Sequence, residues 1–305
     1  MRLAESVGFP PGVINVVTGD AEAGQALVDH PGVARVSFTG SDATGRVIAG
    51  RAAGRLAGVT LELGGKSANI VFADANLEAA EAGILAGIFA AAGQTCVAGT
   101  RALVAAEIHD ELLARVAGRA ETIRLGDPMD EATQMGPIAN PPQLARVTRM
   151  VEEARAAGAD VVSGGEKGRV EGLPDGLFYR PTVLSGVDNT SRIAQEEVFG
   201  PVLTMIPFRD EAEAVALANG TRYGLAAGLW TQDVQRAHRV ARQLQAGTVW
   251  VNLYRAVTYN SPFGGYKESG LGRANGAEAI DEYLQTKSVW LELSDEVQDP
   301  FVLRT

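Results

Sequence analysis

The chain has 305 residues, 46% of them hydrophobic, with 36 glycines and a net charge of −10. That length suggests roughly two domains with room for a substantial core, and the acidic balance argues against nucleic acid or an anionic membrane as partner. A lone cysteine excludes an internal disulfide, the first residues lack the apolar core of a signal peptide, and the longest apolar run, 84–93, is too short to span a bilayer, so a cytoplasmic globular protein is expected.

The β-branched run at 13–17 reads as a strand, followed by a helix over 21–28. Residues 34–38 form the next expected strand, with a helix over 42–56 behind it, and 59–63 a third strand that ends at a glycine pair. This alternation predicts a parallel sheet with crossover helices. Open sheets of that kind bind ligands at the carboxyl ends of their strands, which is where Glu62 falls. An alanine-rich helix over 76–92 is stopped by Gly93, helices over 110–123 and 143–157 follow, and 158–186 reads as a loose glycine-rich stretch. A second alternation then runs through strand 202–208, helix 211–219, strand 226–230, helix 234–244 and strand 248–251. The last twelve residues are acidic and irregular and read as a flexible tail. There is no internal repeat.

Cys96 sits in the small-residue loop Gly93-Gln94-Thr95-Cys96-Val97-Ala98-Gly99-Thr100-Arg101, and Glu62, 34 residues upstream, in Leu61-Glu62-Leu63-Gly64-Gly65-Lys66-Ser67. Taken alone, a single intracellular cysteine is a small buried hydrophobe at least as readily as a nucleophile. The small and polar neighbours and the helix stop before the loop favour an accessible thiol. A thiol nucleophile needs a base that can later activate water, a role open to a carboxylate; Glu62 is otherwise a carboxylate capping a turn. Phe38-Thr39-Gly40-Ser41 closes a strand and opens a helix, which makes either an ordinary cap or an anion site. Glu196-Glu197-Val198-Phe199-Gly200-Pro201 is an acidic turn before a strand, and Pro262-Phe263-Gly264-Gly265-Tyr266-Lys267 opens a second glycine-dense segment that runs on to Arg273. His30, His109 and His238 lie in unrelated contexts and are expected at the surface, so a Cys-His hydrolase is poorly supported. No metal site is expected.

These segments, in this order, resemble the aldehyde dehydrogenase superfamily from the first residues to about Lys287. The resemblance implies an α/β fold: a partial Rossmann-like dinucleotide domain over 1–64, a catalytic domain over 65–268, and a return segment over 269–305 whose strand near 284–293 pairs across subunits. It implies oxidation of a small-molecule aldehyde to the acid with NAD or NADP, NAD slightly favoured, in a homodimer or homotetramer. Cys96 is then the nucleophile that forms a thioester, and Glu62 the base that activates the hydrolytic water. Gly40, Ser41, Leu63 and Gly64 contact the cofactor, Glu197 holds its ribose hydroxyls and Phe199 packs near its ring, while Thr95, Val97 and Arg255 line the substrate pocket. Where relatives usually have Glu after Arg273, this chain has Ala274, an expected loss of one local salt bridge. Relatives also carry a Pro-Trp-Asn segment, whose Asn donates to the oxyanion, and a ribose-binding lysine, both upstream of the point where this chain begins. None of its three tryptophans precedes an Asn. Two alternatives therefore stay open: a non-catalytic chain that keeps the fold, or ester hydrolysis by Cys96 and Glu62 alone.

Overall fold

The computed structural model describes residues 2–295 and 301. Short helices α1 (Arg2–Ser6) and α2 (Ala21–Asp29) lead into strand β1 (Arg35–Thr39), helix α3 (Asp42–Ala53) and strand β2 (Gly58–Glu62). Strand β3 (Ala68–Val71), helix α4 (Leu77–Phe89), strand β4 (Arg101–Ala105), helix α5 (His109–Glu121) and helix α6 (Pro141–Ala156) follow. Then come β5 (Asp160–Ser163), β6 (Thr182–Ser185), a single helical turn α7 (Arg192–Gln195), β7 (Val202–Phe208) and α8 (Glu211–Asn219). The chain continues through β8 (Tyr223–Gly224), β9 (Ala226–Trp230), α9 (Val234–Gln243), β10 (Thr248–Val251), β11 (Tyr266–Lys267), β12 (Gly270–Leu271) and the turn α10 (Glu278–Asp281).

The larger sheet has seven strands in the order β10-β9-β3-β4-β7-β6-β5, all parallel except β5, which runs antiparallel to β6. Helices cover it, and its core gathers Ile70, Ile84, Leu103, Leu112, Leu203 and Leu229, all sealed from solvent. The smaller sheet has the order β1-β2-β12, with β1 and β2 parallel and β12 antiparallel to β2. A third sheet pairs β8 with β11 antiparallel, and Ser269, fully buried, ties it to the end of β2: its carbonyl accepts from the Leu63 amide, its hydroxyl donates to the Gly64 carbonyl, and the same oxygen accepts from the Gly224 amide.

Several expectations change. Residues 13–17 form no strand; Val13, Val16 and Val17 are exposed, and β-branched content makes a strand only where a neighbouring edge receives it. The alanine-rich helix ends at Phe89 rather than 92, because Ala91 and Ala92 adopt left-handed backbone. Seven strands, β3, β4, β5 and β6 and the two-residue β8, β11 and β12, lie in stretches read as loops or left unassigned. The strand expected near 284–293 is not formed among the described residues, and Val289, Trp290 and Leu291 are exposed there. His109 is not a surface residue: its side chain is 12% exposed, bonded to Asp110. Most of the expected tail, 296–300 and 302–305, lies outside the described residues.

Candidate active site

The ends of β1 and β2 stand side by side, with the Gly40 amide donating to the Glu62 carbonyl. Ser41 caps α3: its oxygen accepts from the Thr44 amide at 3.2 Å, as serine does at a helix start. The unpaired amides of that first turn, and the positive end of the helix dipole, therefore open where Gly40 and Ser41 meet the cleft.

Glu62 is the last residue of β2 and only 8% exposed. Among the described residues neither of its oxygens has a hydrogen-bond partner. Burial pushes its pKa up to about 7, with the Arg273 guanidinium opposing and the Glu282 carboxylate adding to the rise. A carboxylate so placed is ready to take a proton near neutral pH.

Cys96 follows an abrupt stop. After α4 the chain passes through three left-handed residues, Ala91, Ala92 and Gly93. Gly93 is required there, since a Cβ would fall 2.1 Å from the Gly200 carbonyl. Gln94 then clamps the entry, donating to the Pro137 carbonyl and accepting from the Ala139 amide. The turn that carries the thiol closes with the Ala98 amide on the Thr95 carbonyl at 3.0 Å. Cys96 is half-buried. Burial, then Glu197 and Glu62, push its pKa up, while the amides of Val97 and Cys96 favour the thiolate. At rest the thiol is protonated and needs a base to react.

Glu197 reaches the cleft from the turn before β7. Arg146 and Gln143, one helical turn apart on α6, hold that turn by donating to the carbonyls of Glu197, Val198 and Phe199. The Glu197 carboxylate meets the Gly65 amide at 3.3 Å and lies so close to Gly64 that a Cβ there would come within 2.5 Å of it. Burial raises the Glu197 pKa to about 7, and burial lowers that of Lys66, sealed beneath it, also to about 7; each charge partly favours the other. Glu196 points elsewhere, to Arg192 and Arg146.

One cleft of about 730 Å³ collects these groups. Gly40, Ser41, Leu63 and Gly64 line it from the small-sheet side together with Glu62, and Thr95, Cys96, Glu197 and Phe199 from the other. Two expected pocket residues lie apart from it. Val97 packs into a dry cluster with Leu225, Ala226 and Trp250, and Arg255 turns away to donate to the Ala86 carbonyl at the end of α4. Residues that the sequence reading passed over also line it: Asp42, Gln94, Gln143, Arg146, Arg222 and Tyr223. Asp42 pairs with Arg222 at 2.7 Å, tying α3 to the edge of the larger sheet's loops. Only the spacing of Gln143 and Arg146 on one helix face was a sequence signal for any of these. No cluster among the described residues has the make-up of a metal site, and no described helix is long and apolar enough to cross a membrane.

Comparison with known proteins places this geometry. The family model described as the aldehyde dehydrogenase family matches residues 1–289. A betaine aldehyde dehydrogenase of Sinorhizobium fredii is 46% identical, over 99% of this chain and 62% of that protein. Among solved structures, betaine aldehyde dehydrogenase from Staphylococcus aureus in complex with NAD+ superposes with a TM-score of 0.91 at 42% identity, over 94% of this chain and 57% of that one. The NAD+ complex of an aldehyde dehydrogenase from Bacillus cereus gives 0.93 at 42% identity, over 96% and 59%. The chain thus spans about three fifths of the length of these relatives. Its α/β architecture is held in common with them over nearly all of its length, and the chain belongs to the aldehyde dehydrogenase family.

Proposed function

We propose that this chain oxidises an aldehyde to a carboxylic acid with a nicotinamide dinucleotide, Cys96 being the nucleophile and Glu62 the general base. The observation that carries the reading is the single cleft that holds both, with the start of α3 at one end and Glu197 at the other. The residues fit a dinucleotide. The free amides at the start of α3, beside Gly40 and Ser41, suit a pyrophosphate. Glu197, engaged at one oxygen by a long contact to Gly65, has acceptor capacity for two ribose hydroxyls. Leu63 and Gly64 offer a close backbone approach, and Phe199 an apolar face for the ring. NAD is the favoured form, supported by the NAD+ complexes of the relatives.

The chemistry assigns each group a task. Glu62, directly or through a water, accepts the thiol proton as the Cys96 sulfur adds to the aldehyde carbon. A dinucleotide held by the start of α3, Glu197 and Phe199 would supply the oxidant, as hydride acceptor for that carbon. The acyl group is then held on Cys96 as a thioester. Glu62, having lost the first proton to solvent, takes a proton from water; the hydroxide adds to the acyl carbon, the carbon–sulfur bond breaks, and the acid leaves as the proton on Glu62 returns to the Cys96 sulfur. In this reading residues 1–64 are part of the dinucleotide domain, 65–268 the catalytic domain and 269–305 the return segment. The exposed apolar side chains of Leu284, Val289, Trp290 and Leu291 support a homodimer or homotetramer, an assignment that light scattering on the purified chain tests.

The deciding experiment follows dinucleotide reduction by absorbance with a panel of aldehydes, betaine aldehyde first because the relatives are named for it, and Cys96→Ala as control. Cysteine-dependent reduction is the expected result. Absence of both turnover and dinucleotide binding overturns it in favour of a non-catalytic chain, and ester cleavage without reduction points to residual thiol chemistry alone.

A further inference from the structure

Tyr254 follows β10 in a loop whose backbone is left-handed at both Asn252 and Arg255. Asn252 pins the start of that loop by exchanging two hydrogen bonds with Thr231, at 3.0 and 2.9 Å. Trp250 fastens the far side, its indole donating to the Ala256 carbonyl at 2.8 Å. The result turns the Tyr254 ring inward. It tilts against Trp250 with centroids 4.7 Å apart, and lies on Gly99 and Gly228, where a Cβ would come within 3.0 and 2.6 Å of ring atoms. The hydroxyl ends 2.9 Å from the Val97 carbonyl and donates to it. Val97 is the residue after the thiol and the third of the four in its turn.

We propose that Tyr254 is a positioning residue for Cys96: by holding the Val97 carbonyl, its hydroxyl fixes the turn and orients the backbone amides that face the sulfur. Fixed points flank the turn, the Gln94 clamp before it and the Gly99 amide on the Gly87 carbonyl after it, and the Val97 side chain packs beneath it. The turn's own closure is one hydrogen bond, from Ala98 to Thr95, and Cys96 itself is only half-buried. The gripped carbonyl belongs to the 97–98 peptide unit, whose amide, on Ala98, closes the turn on Thr95; holding that unit limits rotation about the Val97 Cα and so the direction of the adjoining Val97 amide, which favours the thiolate. Burial raises the Tyr254 pKa well above its ordinary value, so the hydroxyl remains a donor throughout the working range.

The inference rests on Cys96 as the reacting thiol, and the test reads that thiol directly. Iodoacetamide reports it without ambiguity, because the chain has a single cysteine. Tyr254→Phe keeps the ring and removes only the hydroxyl. It is expected to slow alkylation at pH 7 about fivefold, the equivalent of one ordinary hydrogen bond, and to move the alkylation profile to higher pH. Trp250→Phe loosens the same loop at Ala256 and thins the packing on Tyr254 while keeping its hydroxyl, so it reports loop packing alone and is expected to slow alkylation clearly less than Tyr254→Phe does. An unaltered rate and profile in Tyr254→Phe overturns the proposal, whether or not the melting temperature falls. So does an equal slowing in Trp250→Phe, which would trace the effect to loop packing. If alkylated wild-type chain keeps oxidising aldehydes, the assignment of Cys96 as nucleophile fails instead, and the alkylation profiles still decide the positioning role.

Discussion

In the seven-stranded sheet, β3, β4, β6 and β9 are buried along their whole length, under helices on both faces. In the three-stranded sheet, β1 alternates half-buried and exposed residues, α2 buries only Val28, and α3 only Gly45 and Ala52. The candidate site lies on the seam between these unequal regions. Cys96 and Glu197 come from loops of the well-packed one, while Glu62 and the start of α3 come from the thin one. The proposed reaction draws on both regions: Cys96 carries the acyl group, and Glu62, which also takes the thiol proton during addition, is the base for its release. The two regions are bridged by Ser269 beneath Leu63 and Gly64 and by a chain of ion pairs through Asp42, Arg222, Glu268 and Arg46.

The largest effect is expected on the well-packed side. Cys96→Ala should reduce aldehyde oxidation by about 10⁵-fold or more, as loss of a nucleophile does elsewhere, with little change in melting temperature, because the side chain is half-buried and small. Next comes the thin side. Glu62→Gln should cut steady-state turnover by roughly 10²–10⁴-fold, the range for a general base, yet leave a first burst of dinucleotide reduction. Mass spectrometry of the quenched protein should then find the acyl group on Cys96. Unchanged turnover in this variant would remove Glu62 from its role. In the wild type, deacylation should rise with pH through about 7, as the raised Glu62 carboxyl ionises.

Stability sharpens the same contrast. Ile70→Ala, in the sealed centre of β3, should lower the free energy of unfolding by about 2–5 kcal/mol. Val36→Ala, half-buried in β1, should cost less than about 1 kcal/mol. Urea titration of both variants gives the comparison. Hydrogen exchange should show β1 and β2 opening while β4 stays protected; equal protection would mean that the two sheets unfold as one unit.

The unequal packing also decides what could be read from the sequence. Strands 202–208, 226–230 and 248–251 and helix 211–219 coincide with the structure to the residue, because apolar runs there are bounded by charges or glycine. Strands β3 and β4 escaped notice because their runs are short and begin beside polar residues that the fold buries. Arg101 is 1% exposed, satisfied by the carbonyls of Lys66, Leu217 and Ala218 and by the side chain of Asn189; a charged residue with four buried partners does not look like the first residue of a core strand. The strand expected at 13–17 failed for the opposite reason, since its residues have the propensity but no edge to join. At the site, the residues set in distinctive short segments were legible one by one. Lys66, Gln143, Arg146 and Tyr223 were not, because their place beside Glu197 and Cys96 depends on elements brought together from distant parts of the chain.

Glu62 ties stability to function within the thin region. In the unfolded chain its carboxyl ionises near the ordinary 4.5, whereas in the fold it holds its proton to about 7. Between those two values the folded state binds more protons than the unfolded one, so this group's contribution to stability falls as pH rises from 4.5 to 7 and is flat on either side. Glutamine has the shape of the protonated form and carries no such dependence. Glu62→Gln should therefore match the wild type near pH 4.5 and exceed it by about 1–3 kcal/mol at pH 8, read from urea titrations at the two pH values. A constant difference across pH would show that the carboxylate is well solvated in the folded chain. A difference that grows through this window would mean that the poorly packed sheet bears a buried, ionising base at the expense of its own stability, as functional sites commonly do.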